Sequence, residues 1–386
     1  MLIKHKKIAI IGGGPGGLTL ARLLQLKDAD VQVYERDADQ AVRVQGATLD
    51  LHFESGLKAI ETAGITEAFK KAYRPGADKG RVLDKYANII YDEHERKNDP
   101  IDFGNADFRP EIDRGDLRDI LLGALKPGTV VWDSQLISLS AAGDGWKLEF
   151  KNGTTSIVDM VIGADGAGSK IRPYVTPLSA SYAGITIIQG NVADAAITAQ
   201  RVHQLLKGGK IYVHSDDRYL HISQKGDGSI DFYISSKKDE NWPHNSGIDF
   251  SDRLQLQVWF RNEFLGWSTL WFELFDQVTL PLLVRPQYYV PLDQSWEAQS
   301  NITLLGDAAH LMPPSGEGVN LAMLDALTLS ECLTSDAFEN TQSAIASYEN
   351  QMRIRAAAEV RISLDTADWM HSDDATQKVV DLFKED

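Results

Sequence analysis

The sequence predicts an α/β fold, and three observations carry that reading. The apolar run from Lys7 to Ile11 opens directly into Gly12-Gly13-Gly14-Pro15-Gly16-Gly17 and then into a helical stretch without a breaker, the strand–turn–helix order of a nucleotide-binding unit. Two further buried runs, Met160-Val161-Ile162 and Asn301 to Leu305, end in Gly163-Ala164-Asp165-Gly166 and Gly306-Asp307. Between about 179 and 238, alternating runs separated by turns take over, the pattern of an antiparallel sheet with one covered face. Together these give a Rossmann-like domain whose strands occur early, near 160 and near 303. The antiparallel sheet is inserted within it, and a C-terminal helix follows.

Each element has its own reason. Lys7 to Ile11 is β-branched and bounded by Gly, which suits a central parallel strand. The preceding Lys4-His5-Lys6-Lys7 imitates the charged start of a signal peptide, but the apolar run breaks at once into glycines. Leu18 to Leu26 reads as helix and Val31 to Glu35 as the second strand. Ser55 to Ala72 and Asp116 to Leu125 read as helices, and Val130-Val131-Trp132 begins a region of short strands. Gly143-Asp144-Gly145 and Asn152-Gly153 are hairpin signals flanking the alternating stretch Trp146 to Lys151. In the inserted sheet, Lys210 to His214 and Asp231 to Ile234 are separated by Lys225-Gly226-Asp227-Gly228. Leu254 to Phe264 reads as helix, Val278 to Val284 as extended, Val319 onward as helix, and Ile345 to Asp386 as a helix-rich brace.

The chain has 386 residues, 43% of them hydrophobic, enough for two or three domains with ample core. Lys plus Arg number 39 against 55 Asp plus Glu, a net charge of −16. Such a surface repels phosphate backbones and anionic lipid, so nucleic-acid and membrane partners are not expected. The single cysteine, Cys332, leaves no disulfide, thiolate zinc site or redox dithiol and fits a reducing cytoplasm. No apolar run reaches the roughly 20 residues that span a bilayer. His203, His214, His221 and His244 lack metal-ligand spacing, so no metal is expected. No GxSxG elbow appears, and Ser315 has no evident His partner, which argues against a hydrolase.

Three motifs carry chemistry. In Gly12-x-Gly14-x-x-Gly17, Gly12 permits the tight turn, Gly14 lets a pyrophosphate approach the backbone, and Gly17 lets helix and strand pack closely. Pro15 opens the helix, whose N-terminal N–H groups suit the phosphates. Glu35, 23 residues after Gly12, accepts from ribose hydroxyls and repels a 2′-phosphate, favouring FAD or NAD over NADP as the held nucleotide. The bland alternative is a structural glycine turn. Second, Asp307 ends a central strand where it can hold a polyol hydroxyl. Pro314-Ser315-Gly316-Glu317-Gly318-Val319-Asn320 then gives a side-chain-poor loop, whose backbone N–H groups at Gly316, Gly318, Val319 and Asn320 can sit beside the pyrimidine edge of a flavin. Its alternative is a strand–helix connection with a solvated Asp. Third, Asp165, with Ser169 and Arg172 behind it, caps another strand end facing the same crevice, or is merely an Asp-Gly turn. Trp259, Trp267, Trp271 and Trp296 either line a pocket for a polycyclic ring or pack in the core.

The order of an N-terminal GxGxxG, a middle Asp-Gly and a late Gly-Asp resembles the class A flavoprotein monooxygenases of the para-hydroxybenzoate hydroxylase fold, across essentially the whole chain. Within that group the sequence is similar to the tetracycline-inactivating flavin monooxygenases. The carrying stretches are Gly46-Ala47-Thr48-Leu49-Asp50-Leu51-His52, Pro110-Glu111-Ile112-Asp113-Arg114-Gly115-Asp116-Leu117-Arg118, and Gly306 to Pro314. The resemblance implies an FAD-binding domain over 1–73, 101–178 and 285–340, a substrate-binding domain over 74–100 and 179–284, and a helical segment over 341–386. It implies that Glu35 and Arg36 hold the adenosine half of FAD, that Arg114 reaches its phosphates or ribityl chain, and that Asp307 holds the ribityl chain. Asp50 then lies near the isoalloxazine, and Arg43 meets the nicotinamide cofactor.

The implied activity is a cytoplasmic, monomeric monooxygenase. NADPH or NADH reduces the flavin, O2 gives a C4a-hydroperoxide, and an aromatic or polyketide-like molecule, such as a tetracycline, is hydroxylated. Gln189 agrees with a substrate-contacting glutamine of that group, whereas Asp231 stands where it carries a histidine and His221 where it carries a phenylalanine. The loop from Pro314 to Gly318 is one residue shorter and lacks an aromatic. One Cys excludes flavin disulfide reductases, and no second GxGxxG follows Gly17 to hold NADPH permanently. The Trp-x-Trp-x-Ile-Pro signature of flavin halogenases is missing too. An FAD-dependent reductase of the same fold and a flavin-bound ligand-sequestering protein share the cofactor cradle and stay open.

Overall fold

The computed structural model describes residues 1–42, 46–96 and 101–385. Its early strands are β1 (Lys7–Ile11), β2 (Asp30–Tyr34), β3 (Leu49–Asp50), β4 (Gly80–Leu83), β5 (Ile89–Asp92) and β6 (Glu111–Ile112). Then come β7 (Val130–Val131), β8 (Leu136–Ala142), β9 (Gly145–Phe150), β10 (Thr155–Val158) and β11 (Met160–Gly163). The last are β12 (Ser181–Val192), β13 (Lys210–Ser215), β14 (Arg218–Gln224), β15 (Ile230–Lys237), β16 (Leu283–Tyr289) and β17 (Ile302–Leu304).

A parallel sheet of order β17-β11-β1-β2-β7 forms the nucleotide domain. Its strands are near-continuous apolar runs because both faces are covered: Ile8, Ile10, Val33, Val161, Ile162 and Leu304 are all buried. The register pairs Ile11 with Tyr34 and Gly163, and Gly163 with Leu304. These strands therefore finish level, and the residues that follow them, Gly12, Glu35, Asp165 and Asp307, emerge along one edge. The helix Pro15–Gln25 lies against the helix Gly318–Thr334 so closely that a Cβ on Gly16 would meet the Ala322 carbonyl at 3.0 Å. The hairpin sheet β10-β9-β8 leans on this domain, with Phe150 stacked on Tyr34 at 4.7 Å.

The inserted part is one seven-stranded sheet of order β16-β12-β15-β14-β13-β4-β5. Period-two alternation gives it two unlike faces. Ile188, Ile211, Leu220, Ile222, Phe232 and Ile234 form one apolar cluster with Phe260, Trp267, Trp271 and Phe275 from the covering helices. These tryptophans are thus core, on the side of the sheet away from the polar residues. The opposite face carries Gln189, Lys210, Tyr212, His214, Tyr219, His221, Asp231 and Tyr233, matched across the strands.

Some local expectations change. Ser55 to Ala72 is not one helix: a π-turn Phe53–Leu57 leads into Lys58–Thr62, and Gly64 at φ +73° separates that from Thr66–Ala72. Short helices Ala195–Thr198 and Gln200–Leu206, unforeseen from the alternating pattern, lie under the apolar face. The extended stretch at 278–284 becomes strand only from Leu283, after a cis Leu280–Pro281 bond. Because β16 pairs with β12 as far as Tyr289, the inserted sheet runs past residue 285. The C-terminal segment is a 29-residue helix, Thr341–Trp369, started by an Asn340/Ser343 capping box, followed by Ala375–Glu385. His214 Nδ1 meets the Met370 carbonyl at 3.0 Å and Ser235 Oγ meets His371 Nε2 at 3.0 Å, so this segment closes over the polar face.

Candidate functional site

The glycine-rich turn is dictated by sterics. Gly12 sits at φ +109°, and a Cβ there would be 2.3 Å from the Ala164 carbonyl oxygen; one on Gly17 would be 2.2 Å from that of Gly12. Gly14 has nothing within 4 Å of its Cβ position, so the backbone is open to approach. The helix Pro15–Gln25 starts with Pro in its first turn, no side-chain cap and no acidic residue there. Its orphan N–H groups and positive dipole end face the opening, a ready anion site. Glu35, 8% exposed, accepts from the Gly13 N–H (2.6 Å) and the Asp37 N–H (3.0 Å). Those bonds fix a carboxylate that keeps lone pairs for a further donor.

These groups line a cleft of about 650 Å³ together with Arg36, Arg114, Asp165, Lys170 and Arg285, a volume in the range of small-molecule sites. Asp165 is braced by the Ser169 hydroxyl and the Lys170 N–H, both at 2.6 Å, and burial raises its pKa. Arg114 lies against Gly46, whose Cβ would be 2.7 Å from Nε at φ +117°, and that Nε is buried without a partner among the described residues. Arg43 lies outside the described residues.

Further along the same edge, Asp307 keeps an open surface while burial around it raises its pKa, with His310 and Arg114 pulling the other way. Gly318 is close by: its Cβ position is 4.0 Å from Asp307 Oδ1. Beneath Asp307, the buried His310 meets Asp325 at 2.6 Å, and Asp325 also accepts from the Gly306 N–H (3.0 Å) and Arg355 (3.1 Å). Pro314 and Gly316 are exposed, and Val319 and Asn320 are buried. Asn320 acts through its side chain: Nδ2 donates to the Asp50 carbonyl (3.0 Å) and Oδ1 accepts from the His52 N–H (2.9 Å). His52 adds a second tie, with Nε2 at 2.8 Å from Asp50 and Nδ1 at 3.2 Å from Glu317. Two carboxylates, one on each nitrogen, demand an imidazolium. Burial opposes that charge, but the Asp50 and Glu317 bonds outweigh it and raise the pKa to about 9. Burial likewise works against Asp50, while His52 and Lys210 hold its carboxyl below the usual range.

The polar face of the inserted sheet meets this end of the cleft. Tyr233 Oη accepts from the Ala47 N–H at 2.7 Å, and Lys210 bonds to Glu111, which is paired in register with Asp50. Gln189 is buried opposite Tyr233, and His221 is the next residue in that row. Asp231 is 2% exposed, accepting from Asn191 Nδ2 at 2.8 Å with Lys225 at 3.8 Å. The structure thus gathers Gly12, Gly14, Pro15, Glu35, Arg36, Arg114 and Asp165 around the cleft and Asp307 and Gly318 beside one another. Asp50 and Asn320 are joined, and Gln189 and His221 share a row of the polar face. Sequence reasoning missed His52, Lys210, Glu111, Asp325 and Arg285; of these, the His52 and Glu111 positions lay inside motif stretches already singled out.

The comparisons agree with this geometry. The family model described as FAD binding domain matches residues 5–241 and 294–363. Monooxygenase penA of Penicillium thymicola is 25% identical, over 98% of each chain. Klebsiella pneumoniae HpxO, solved with FAD and uric acid, superposes at a TM-score of 0.74 and 21% identity, covering 99% of this chain and 93% of that one. Tetracycline destructase Tet(55) does so at 0.73 and 21%, covering 97% and 91%. The last two likenesses are of fold.

Proposed function

The chain belongs to the FAD binding domain family and is a flavin-dependent monooxygenase, and from that premise we propose that NADPH or NADH supplies its electrons and O2 the oxygen atom it inserts into an aromatic or polyketide-like small molecule. The observation that carries this reading is the level ending of the parallel strands. It sets an uncapped helix start, Glu35, Asp165 and Asp307 along one edge that runs to the polar face of the inserted sheet, and Arg114, from the segment after β6, lines the same cleft.

The residues fit FAD. The helix start and Gly14 would take the pyrophosphate, Glu35 the adenosine ribose, and Arg114 and Asp307 the chain leading to the ring. Arg114 brings an unpartnered buried Nε and Asp307 an open carboxylate to that task. Bound FAD would supply the activation of O2 and the transfer of one oxygen atom. The chain's own residues orient, exclude water and fix charge. The His52 and Asn320 ties hold the 49–55 segment against the loop ahead of the helix Gly318–Thr334, and the C-terminal segment covers the polar face. A tetracycline is one candidate substrate.

The test is a spectrum followed by oxygen uptake. Purified protein should be yellow and should consume O2 with NADPH when phenols or tetracyclines are added, with a product heavier by one oxygen. Asp307→Ala should cut FAD occupancy at least tenfold while leaving the circular dichroism unchanged. Mutant as yellow as wild type contradicts the assignment, and substrate-dependent NADPH oxidation under argon favours the reductase.

A further inference from the structure

We propose that this chain selects an uncharged, planar, hydrogen-bonding substrate over an organic anion, with His221, Tyr212 and Tyr219 setting the preference. The inference rests on the reading above, since it takes the polar face of the inserted sheet as the substrate face.

The shape comes from strand register. Gln189, Tyr233, His221 and Tyr212 stand in one row across β12, β15, β14 and β13. Three strand spacings make that row about 14 Å long. His221 is the centre of an aromatic group, with ring centroids 4.9 Å from Tyr212, 5.9 Å from Tyr233 and 6.1 Å from Tyr219. A flat fused-ring molecule can lie along its Gln189–His221 stretch, bounded at the far end where Tyr212 packs on Phe383 at 5.3 Å. Tyr233 is already tied to Ala47, whereas His221 Nδ1 is buried without a partner among the described residues. An unpaired buried nitrogen is costly, and a ligand hydroxyl or amide would satisfy it.

The charge balance excludes an anion. Lys210 is the face's central cation, and it bonds to Glu111 with Asp50 also close by, so two carboxylates oppose one ammonium. Lys225 lies 3.8 Å from Asp231, and Lys237, at the strand's far end, lies 3.0 Å from Asp368. Burial pushes the His221 imidazole down to about 3 and that of His214 to about 4, so neither carries a charge near neutrality. Arg285, in register with Ile187 and so at the cleft edge of this face, and Arg114 both act on Tyr233, but both also line the dinucleotide cleft, where two phosphates would claim them. A carboxylate laid along this row would be desolvated with no cation, among the described residues, left free by the carboxylates or the phosphates, a cost of several kcal/mol.

The test titrates FAD-loaded protein at pH 7.5, without NADPH, using isosteric pairs: 3-hydroxy-2-naphthamide against 3-hydroxy-2-naphthoate, and salicylamide against salicylate. Calorimetry and the visible flavin band read binding. Each amide should bind at least tenfold more tightly than its acid; an acid that binds as tightly as its amide, in either pair, overturns the proposal. Glu111→Gln leaves Lys210 less opposed and should shrink the preference at least threefold, and an unchanged ratio refutes the charge argument. His221→Phe should weaken amide binding about tenfold and leave the acids unmoved; equal weakening of both would remove His221 as a determinant. NADPH oxidation in air is measured on the same preparations. Protein that prefers amides yet never oxidises NADPH would sink the monooxygenase reading and leave this one standing.

Discussion

Two histidines beside the nucleotide cleft are pushed toward the charged form, whereas three that face the inserted sheet's polar side are pushed toward the neutral one. His52 is raised to about 9 and His310 is raised as well; in both, burial opposes the charge and a bonded carboxylate outweighs it. His214 and His221 are lowered to about 4 and about 3, and His371 is lowered too, in each case by burial first. His214 and His371 have carbonyl partners, which pull upward too weakly to win. The contrast therefore lies in the partner, since all five are crowded. Around the cleft, carboxylates arranged to receive protons fix a pattern of charge next to the place an anionic dinucleotide would take. At the sheet's polar face, Glu111 from β6 and Asp231 are spent on Lys210, Lys225 and Asn191, and the imidazoles are left to behave as neutral hydrogen-bonding rings.

The largest expected effect breaks the charged half. Asp325 is 1% exposed and serves His310, Arg355 and the Gly306 N–H at once. Asp325→Ala leaves a buried imidazole and a guanidinium without their carboxylate, which should cost about 3–5 kcal/mol, read as a drop in the urea midpoint. A loss below about 1 kcal/mol would mean His310 is neutral after all and the contrast false. An intermediate effect is expected at His52. Because its folded pKa lies above the unfolded value near 6.5, its contribution is complete below about 6.5 and disappears as pH rises through about 9. His52→Gln should cost about 1–2 kcal/mol at pH 7, and the gap between variant and wild type should close by pH 10. A gap that stays constant from pH 7 to 10 would show a packing role rather than an ionic one.

What the sequence made legible was local. The glycine turn, the strand-end acids and the alternating sheet each follow from a few neighbouring residues, because a positive φ at Gly12 or a period of two leaves its mark within one segment. The broken helix at Gly64 was legible in principle, since a lone glycine inside a helical run lowers that run's standing. Bonds such as Lys210 to Glu111, 99 residues apart, leave no local mark at all. Nor could Asn320 be read fully. Its loop suggested backbone donors, whereas its side chain reaches back 270 residues to the Asp50 carbonyl. Neutrality of the sheet histidines is a product of burial on the assembled face, which no spacing rule encodes.

The smallest effect sharpens the neutral half and separates it from the charged one. A group whose folded pKa is depressed stays unprotonated in the native state while the unfolded chain takes up a proton below about 6.5, so stability falls as pH drops through that value toward about 3. For His221 the loss between pH 7 and pH 6 is about 0.5–1 kcal/mol. His52 contributes little slope between pH 6 and pH 5, because in both folded and unfolded chains it is by then mostly protonated. His221 thus acts on the acid side of neutrality and His52 on the alkaline side. His221→Phe has no proton to gain and conserves the ring's bulk, so its urea midpoint should fall less steeply than wild type from pH 7 to pH 5, with His214, His371 and His94, all lowered by burial, contributing to the slope that remains. Identical slopes for the two proteins would place His221 in contact with solvent water and charged at pH 5, and the face it centres would then no longer be a neutral one.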